Sequence, residues 1–171
     1  MEGRGDSLGT ERPLSPARTS PVTATPEGPP PPRFAEEVRD GIVLFDGECG
    51  LCNRWVDFVL RHEREPRLHF SPLQSPAGAE LLRWAGLPTE DFDTVVLIDG
   101  EGAHLRSTAA LRVARHLRAP RSWLRLGMLV PRPLRDGVYG VIARRRLRWF
   151  GRRESCRVPT PDIRDRFLDS G

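Results

Sequence analysis

The tightest restriction on the fold of this chain comes from a short apolar run that leads directly into two closely spaced cysteines. Residues 42–45, Ile-Val-Leu-Phe, are too few for a helix, and Asp46-Gly47 ends the run, which predicts a buried strand. Cys49-Gly50-Leu51-Cys52 follows at once. Apolar residues then recur at helical spacing, at Leu51, Trp55, Phe58 and Val59, and predict an amphipathic helix that ends near Pro66. The two cysteines therefore lie between a buried strand and the start of a helix.

The chain up to about residue 119 alternates between strand and helix patterns. Residues 68–73 and 94–98 are strand candidates, and Ser75-Pro76 opens a helix that runs through Trp84. Residues 99–102, Asp-Gly-Glu-Gly, predict a hairpin turn into a short strand, after which Ser107 is expected to cap a helix. The order βαβ, helix, ββ hairpin and helix predicts an α/β fold, a thioredoxin-like mixed sheet of about four strands flanked by helices.

Composition separates a tail from this domain. Residues 1–33 hold 8 of the 17 prolines, and their only sizeable aliphatic residues are Leu8, Leu14 and Val22. Such a segment buries too little apolar surface to offset its ordering entropy, so residues 1–37 are predicted to be a disordered, Pro-rich tail. Residues 38–171 are predicted to form one domain, with an α/β core over 38–119 and a helical extension over 120–171 that packs on the core. An apolar stripe runs along this extension, at Leu134, Val138, Val141 and Ile142.

Composition also predicts a cytoplasmic protein. The longest uncharged apolar run is about seven residues, far below the roughly 18 to 20 that cross a bilayer, and the N-terminal residues lack the apolar core of a secretory signal. In a reducing compartment three cysteines do not form a disulfide framework, and a Cys-x-x-Cys pair indicates redox chemistry or metal binding. Residues 112–171 carry 16 Arg against 5 acidic residues. We interpret this excess as a solvated basic surface. The alternative is a site for anions, acidic lipid or nucleic acid, of which nucleic acid is the least expected partner.

The two cysteines are predicted to have different roles. Unpaired backbone N–H groups and the helix dipole favour a thiolate at the start of a helix, so Cys49 is the candidate nucleophile. Cys52 lies one turn deeper and is the candidate resolving thiol, which attacks Cys49 once a mixed disulfide has formed. Asp46 is a candidate acceptor for the proton of Cys52 if it is partly buried. The alternative is that Asp46 only forms an Asp-Gly turn or caps the helix.

Residues 45–53, Phe-Asp-Gly-Glu-Cys-Gly-Leu-Cys-Asn, resemble the D-x-x-C-x-x-C signature of the DCC family, whose members are described as thiol-disulfide oxidoreductases of the thioredoxin-like group. The similarity continues through 72–75, 94–99, 106–107, 130–136 and 149–153 with Cys156, so it covers roughly residues 41–168. The family motif falls on Asp46, Cys49 and Cys52. The resemblance implies an enzyme that exchanges a Cys49–Cys52 dithiol or disulfide with a disulfide-containing protein or a small thiol. It implies no bound cofactor, and the reductant is unknown.

In one respect the chain departs from thioredoxins. Those proteins place a cis-proline just before the strand that faces the dithiol, where the adjacent backbone grips peptide substrates. Here that place reads Asp93-Thr94-Val95. Main-chain pairing with a substrate is therefore in question, and a small-molecule disulfide and a dedicated protein partner both stay open as substrates.

A second interpretation makes the chain a binding module with the same fold, whose cysteines are structural or bind zinc and whose basic C-terminal helices engage an acidic partner. A Cys₃His zinc site would combine Cys49, Cys52 and Cys156 with one of His62, His69, His104 and His116. No two of these histidines stand at ligand spacing, which disfavours zinc. Cys156 either exchanges disulfides with the main pair, is glutathionylated, or is a half-buried structural residue. The basic tract 144–153 is predicted to be a helix end with its charges in solvent and with Trp149 and Phe150 packed inward.

Overall fold

The computed structural model of the protein describes residues 23–24, 26, 28–89, 94–151 and 160–168. Most of the predicted tail, and Cys156, lie outside the described residues. The strands are β1 (Thr23–Ala24), β2 (Ile42–Phe45), β3 (His69–Pro72), β4 (Val96–Asp99) and β5 (Gly102–Leu105). The α-helices are α1 (Ala35–Asp40), α2 (Gly50–His62), α3 (Pro76–Trp84), α4 (Arg106–Val113) and α5 (Arg132–Phe150). Shorter 3₁₀ helices span Pro32–Phe34, Ala114–His116, Arg121–Leu129 and Pro161–Arg166.

The strands form one mixed sheet in the order β1-β5-β4-β2-β3. β2 and β3 are parallel and are joined by a crossover through α2, whereas β4 is antiparallel to both β2 and β5. All four residues of β2 are fully buried, because β2 is a central strand covered on both faces, and this accounts for its continuous apolar sequence. Strands β2 to β5 with their helices form the predicted thioredoxin-like arrangement, so the predicted fold class is confirmed.

Side chains of β2 alternate between two cores, one on each face of the sheet. Val43 and Phe45 pack in a cluster with residues of α2 and α4, and both Cys49 and Cys52 belong to this cluster. Ile42 and Leu44 pack on the other side with residues of α1 and α3. The two cysteines are thus part of a packed core rather than of a surface loop.

Two elements lie within the segment predicted as tail. β1 pairs antiparallel with β5, and the 3₁₀ helix Pro32–Phe34 leads into α1. Phe34 is buried in the second core, and the indole N–H of Trp84 donates to the carbonyl of Pro29 at 2.9 Å. The boundary at residue 37 stays a prediction, although contacts with the domain begin before it.

α5 packs on the domain through polar side chains, and its apolar stripe faces outward. Ser107 was expected to cap α4, but it does not. Its hydroxyl instead donates to Asp136 of α5. The orientation predicted for residues 144–153 is wrong at Arg146, which is 3% exposed, and at Trp149 and Phe150, which are 55% and 37% exposed. Arg144, Arg145 and Arg148 are exposed as predicted, and residues 152–153 lie outside the described residues. The edge of the core under α5 carries polar groups that require hydrogen-bond partners, so α5 turns its polar side inward. The stripe residues Leu134, Val138, Val141 and Ile142 are therefore all exposed.

Candidate active site

Cys49 and Cys52 lie where β2 has ended and α2 begins. Cys49 is the N-cap residue of α2, with extended backbone, and its Sγ accepts the backbone N–H of Cys52 at 3.5 Å. A thiol thus occupies the position that short oxygen-bearing side chains usually take at helix starts. Asn53 fixes the preceding loop, since its Nδ2 donates to Gly47 O at 2.8 Å and to Cys49 O at 2.9 Å. The first sulfur is therefore held at the positive end of the helix dipole.

The surroundings shift the pKa values of the two thiols in opposite directions. The pKa of Cys49 is lowered from 9.0 to about 6, chiefly by a hydrogen bond with the Cys52 thiol. The backbone N–H groups of Cys52 and Leu51 and the charge of Arg146 also lower it, against the effect of burial. The pKa of Cys52 is raised, chiefly by its hydrogen bond to Cys49, then by burial and by the negative charge of Cys49. Near neutral pH Cys49 is mainly a thiolate and Cys52 a thiol.

A buried arginine from α5 completes this arrangement. Arg146 places Nη2 3.2 Å from Asp46 Oδ2 and Nη1 3.9 Å from Cys52 Sγ. The other oxygen of Asp46 accepts from Glu48 N at 3.1 Å and from Gln74 Nε2 at 3.0 Å. The bond to Glu48 is the contact of an Asp-Gly turn, the alternative considered for Asp46. The structure thus brings all three predicted site residues together and adds Arg146, which sequence reasoning assigned to solvent.

A signal for Arg146 was present in the sequence. Asp136, Tyr139 and Arg146 lie three and seven residues apart, which places their polar side chains on one side of a helix. We interpreted the opposite, apolar side as the packed one, because surface helices normally bury their apolar side.

The C-terminal end of α5 packs against the start of α2 at Gly50, next to Cys49. The backbone N–H of Gly50 donates to Gly151 O at 3.3 Å, and a Cβ at Gly50 would lie 2.4 Å from Phe150 O. Cys49 is 0% exposed and Cys52 is 6% exposed. We call Phe150 and Gly151 the α5 cover. Because Cys49 is fully buried, a substrate sulfur reaches it only when neighbouring residues move.

Tyr139 of α5 bonds the backbone just before β4, next to the place where the sequence lacks the proline of thioredoxins. Its hydroxyl accepts the backbone N–H of Val95 at 3.2 Å and lies 3.0 Å from Thr94 Oγ1. Burial raises the pKa of Tyr139, so this hydroxyl is protonated at neutral pH. The N–H at the start of β4 is therefore used within the domain, which agrees with the absence of proline there.

The remaining zinc candidates do not meet the dithiol in the described part of the chain. Cys156 lies outside the described residues, so the Cys₃His hypothesis as a whole stays a prediction. Within the described ranges, no three His, Cys, Asp or Glu side chains come together as a metal-binding group. His62 contacts Phe58 O at 2.7 Å, and His104 contacts Asp99 at 3.1 Å.

A buried dithiol at the start of the helix that follows a central strand of the mixed sheet defines a thioredoxin-like protein of the Cys-x-x-Cys class. Residues 43–152 match the family model described as DCC1-like thiol-disulfide oxidoreductase. The chain belongs to this family.

Two relatives support this assignment. The uncharacterized protein YuxK of Bacillus subtilis (strain 168) is 42% identical over 134 residues, which cover 78% of this chain and 98% of that protein. The chloroplastic DCC family protein At1g52590 of Arabidopsis thaliana is 36% identical over 126 residues, or 73% of each chain. No solved structure matches the chain. Across the described residues, no helix is both long and apolar enough to cross a membrane.

Proposed function

We propose that the protein is a thiol-disulfide oxidoreductase that exchanges a Cys49–Cys52 dithiol for a disulfide on a protein or a small molecule. The observation that carries the proposal is the opposed pKa shift of two adjacent thiols, which makes one a nucleophile near neutral pH and keeps the other protonated. Membership of a family described as thiol-disulfide oxidoreductases supports it. The proposal includes the cytoplasm as the compartment, where thiol reductants regenerate the dithiol.

The reaction begins at Cys49. Its thiolate attacks one sulfur of the substrate disulfide, the S–S bond breaks, and the other substrate sulfur leaves as a thiolate that takes a proton. Cys52 then loses its proton and attacks the Sγ of Cys49, which breaks the mixed disulfide and releases the second substrate sulfur. Two electrons have passed to the substrate, and the protein holds a Cys49–Cys52 disulfide. A thiol reductant reverses these steps and restores the dithiol.

The surroundings of Cys52 support its delayed role. In the resting dithiol, the hydrogen bond to Cys49 and the charge of Cys49 are among the main causes that raise the pKa of Cys52. Both disappear when Cys49 enters the mixed disulfide, because that sulfur is then neutral. The charge of Arg146 continues to lower the pKa of Cys52. Cys52 therefore becomes easier to ionise only after the first attack, and Asp46 is the proposed acceptor of its proton.

The α5 cover restricts which disulfides reach the site. Because Cys49 is fully buried, even a small disulfide requires displacement of Phe150 and Gly151. A folded protein substrate requires a larger opening, since the cover and Tyr139 occupy the space beside α2 and β4. The proposal therefore includes an opening step before chemistry.

The pH dependence of alkylation tests the proposal. Reduced protein carrying Cys156→Ser is treated with iodoacetamide across a pH series, with the Cys49→Ser and Cys52→Ser variants compared by peptide mass spectrometry. We expect Cys49 to react with a pKa of about 6, and only protein with both cysteines to lose about 2 Da on mild oxidation. Reaction of Cys49 with the pKa of a free thiol, about 8.5, or failure to form the internal disulfide, would contradict the proposal.

A further inference from the structure

One stretch of the described chain concentrates the exposed apolar surface. Every large hydrophobic side chain that is exposed among the described residues lies between positions 123 and 150. The most exposed are Leu129 (82%), Trp123 (68%) and Leu134 (63%). Single exposed apolar residues are ordinary, but a contiguous set marks an interaction surface. We call the exposed side chains of residues 123–150 the outer face.

The orientation of α5 explains much of the outer face. Its exposed apolar residues recur at helical spacing along one side, at Leu134, Val138, Val141, Ile142 and Trp149. The opposite side carries the polar groups that bond Ser107, Thr94 and Asp46 of the domain. The helix thus turns these polar groups toward the domain, whereas an ordinary surface helix buries its apolar residues. Its polar side is committed to the domain, so the apolar side is available to a partner.

The same stretch is strongly basic. Residues 121–150 contain eight arginines and one acidic residue, Asp136, which faces the domain. Six of these arginines are exposed, at Arg121, Arg125, Arg132, Arg144, Arg145 and Arg148. The guanidinium of Arg145 lies over the ring of Trp149, 5.7 Å from its centroid. Positive and apolar groups are therefore exposed side by side along this stretch, and a complementary partner is both anionic and apolar.

Two other occupants fit this surface less well. A second copy docked through the same face about a two-fold axis would bring two sets of arginines together. A nucleic acid supplies phosphates and offers its bases for stacking on aromatic rings. Nine of the twelve exposed large apolar side chains are not aromatic, however, so most of the outer face gains nothing from stacking.

We propose that the outer face docks the protein on a membrane surface that contains anionic lipids. The aliphatic side chains of α5 and of residues 123–130 enter the boundary between headgroups and acyl chains, and Trp123 and Trp149 lie at that boundary. The arginines extend their alkyl stems along the apolar surface and place their guanidinium groups on lipid phosphates. The protein lies on the membrane without crossing it, and the dithiol stays on the domain-facing side of α5.

Vesicle binding tests this proposal on the full, reduced chain. Flotation and tryptophan fluorescence are measured with phosphatidylcholine vesicles and with vesicles that contain about 30% phosphatidylglycerol, at about 0.1 M salt. We expect binding and a blue shift with the anionic vesicles only. Replacing Arg144, Arg145 and Arg148 together with Gln is expected to weaken binding about 100-fold, at roughly fivefold for each arginine near the surface. The triple variant Leu134→Ser, Val138→Ser and Ile142→Ser is expected to abolish the blue shift.

A matched control separates this surface from net charge. Arg39, Arg61 and Arg83 are also exposed, so replacing all three with Gln makes the same charge change away from the outer face and is expected to leave binding within about threefold. Circular dichroism verifies that each variant is folded. Equal losses from both arginine triples, or no binding of the wild type to anionic vesicles, would overturn the proposal. So would a dimer that the serine triple dissociates, or tighter binding of a single-stranded oligonucleotide that the serine triple leaves unchanged.

Discussion

Replacing Cys52 tests why Cys49 is acidic. The hydrogen bond with the Cys52 thiol is the largest influence on the pKa of Cys49, which lies at about 6. A hydrogen bond to a charged group contributes about 1.5–3 kcal/mol, which corresponds to about 1–2 pH units. Cys52→Ala removes this donor, so the pKa of Cys49 is expected to rise to about 7–8. Cys52→Ser keeps a donor of similar size and is the matched control, with an expected pKa near that of the wild type.

The rate of iodoacetamide alkylation against pH measures this pKa, because only the thiolate reacts. All variants carry Cys156→Ser, so that the readout comes from the site alone. At pH 7 the thiolate fraction of Cys49 is expected to fall from about 0.9 to between about 0.1 and 0.5 in Cys52→Ala. A pKa that stays at about 6 in this variant would refute the reasoning and assign the effect to the helix start and Arg146. An equal rise of the Cys49 pKa in Cys52→Ala and Cys52→Ser would assign the change to lost packing around Cys52.

Three further predictions follow from contacts around the site. Gly50→Ala is expected to cost about 1–3 kcal/mol of stability and to speed alkylation of Cys49, because the new Cβ displaces Phe150 O. Gly100→Ala is the control, because a Cβ at Gly100 meets open space. Equal effects of the two variants on urea unfolding and on alkylation would contradict the contact between Gly50 and Phe150. The pKa of Cys49 falls from 9.0 to about 6 on folding, so between pH 6 and pH 9 the unfolded state binds more protons than the folded state. The free energy of unfolding under reducing conditions is therefore expected to rise by at most about 4 kcal/mol from about pH 6 to pH 9. Urea unfolding of Cys49→Ser should lack this rise, and an unchanged slope would show that another group causes it. Tyr139→Phe leaves the backbone N–H at the start of β4 without its acceptor, which is expected to cost about 1–3 kcal/mol; an unchanged urea midpoint would show that this bond contributes nothing to stability.

The elements that form the dithiol could be predicted because their signals are local. The apolar run over 42–45, the Asp-Gly turn and the periodicity after Leu51 each lie within a few residues of the cysteines. These neighbours also determine the helix start that lowers the pKa of Cys49. Local pattern thus sufficed for the strand and for the start of the helix at the cysteines, and the different roles of the two thiols stay a prediction.

The rest of the site depends on contacts that are distant in sequence. Arg146 lies 94 residues after Cys52, and only the packed fold shows that Asp46 and Thr94 need polar partners from α5. An apolar stripe on a helix indicates which side is apolar, but not whether the domain or another surface covers it. For that reason Arg146 was predicted to be in solvent although it is buried, and the apolar stripe was predicted to be packed although it is exposed.

The distance in sequence between the dithiol and its cover affects the growing chain as well as the finished one. Cys49 and Cys52 leave the ribosome well before α5 has been made, and at about 5–20 residues per second the 94 residues up to Arg146 take roughly 5–20 s. During this interval the helix start can already form, but the arginine and the cover are missing. The nascent thiols are then open to oxidants and to electrophiles that the finished protein excludes. The thiol pool around the ribosome therefore determines whether the newly synthesised protein holds Cys49 and Cys52 as a dithiol or as a disulfide.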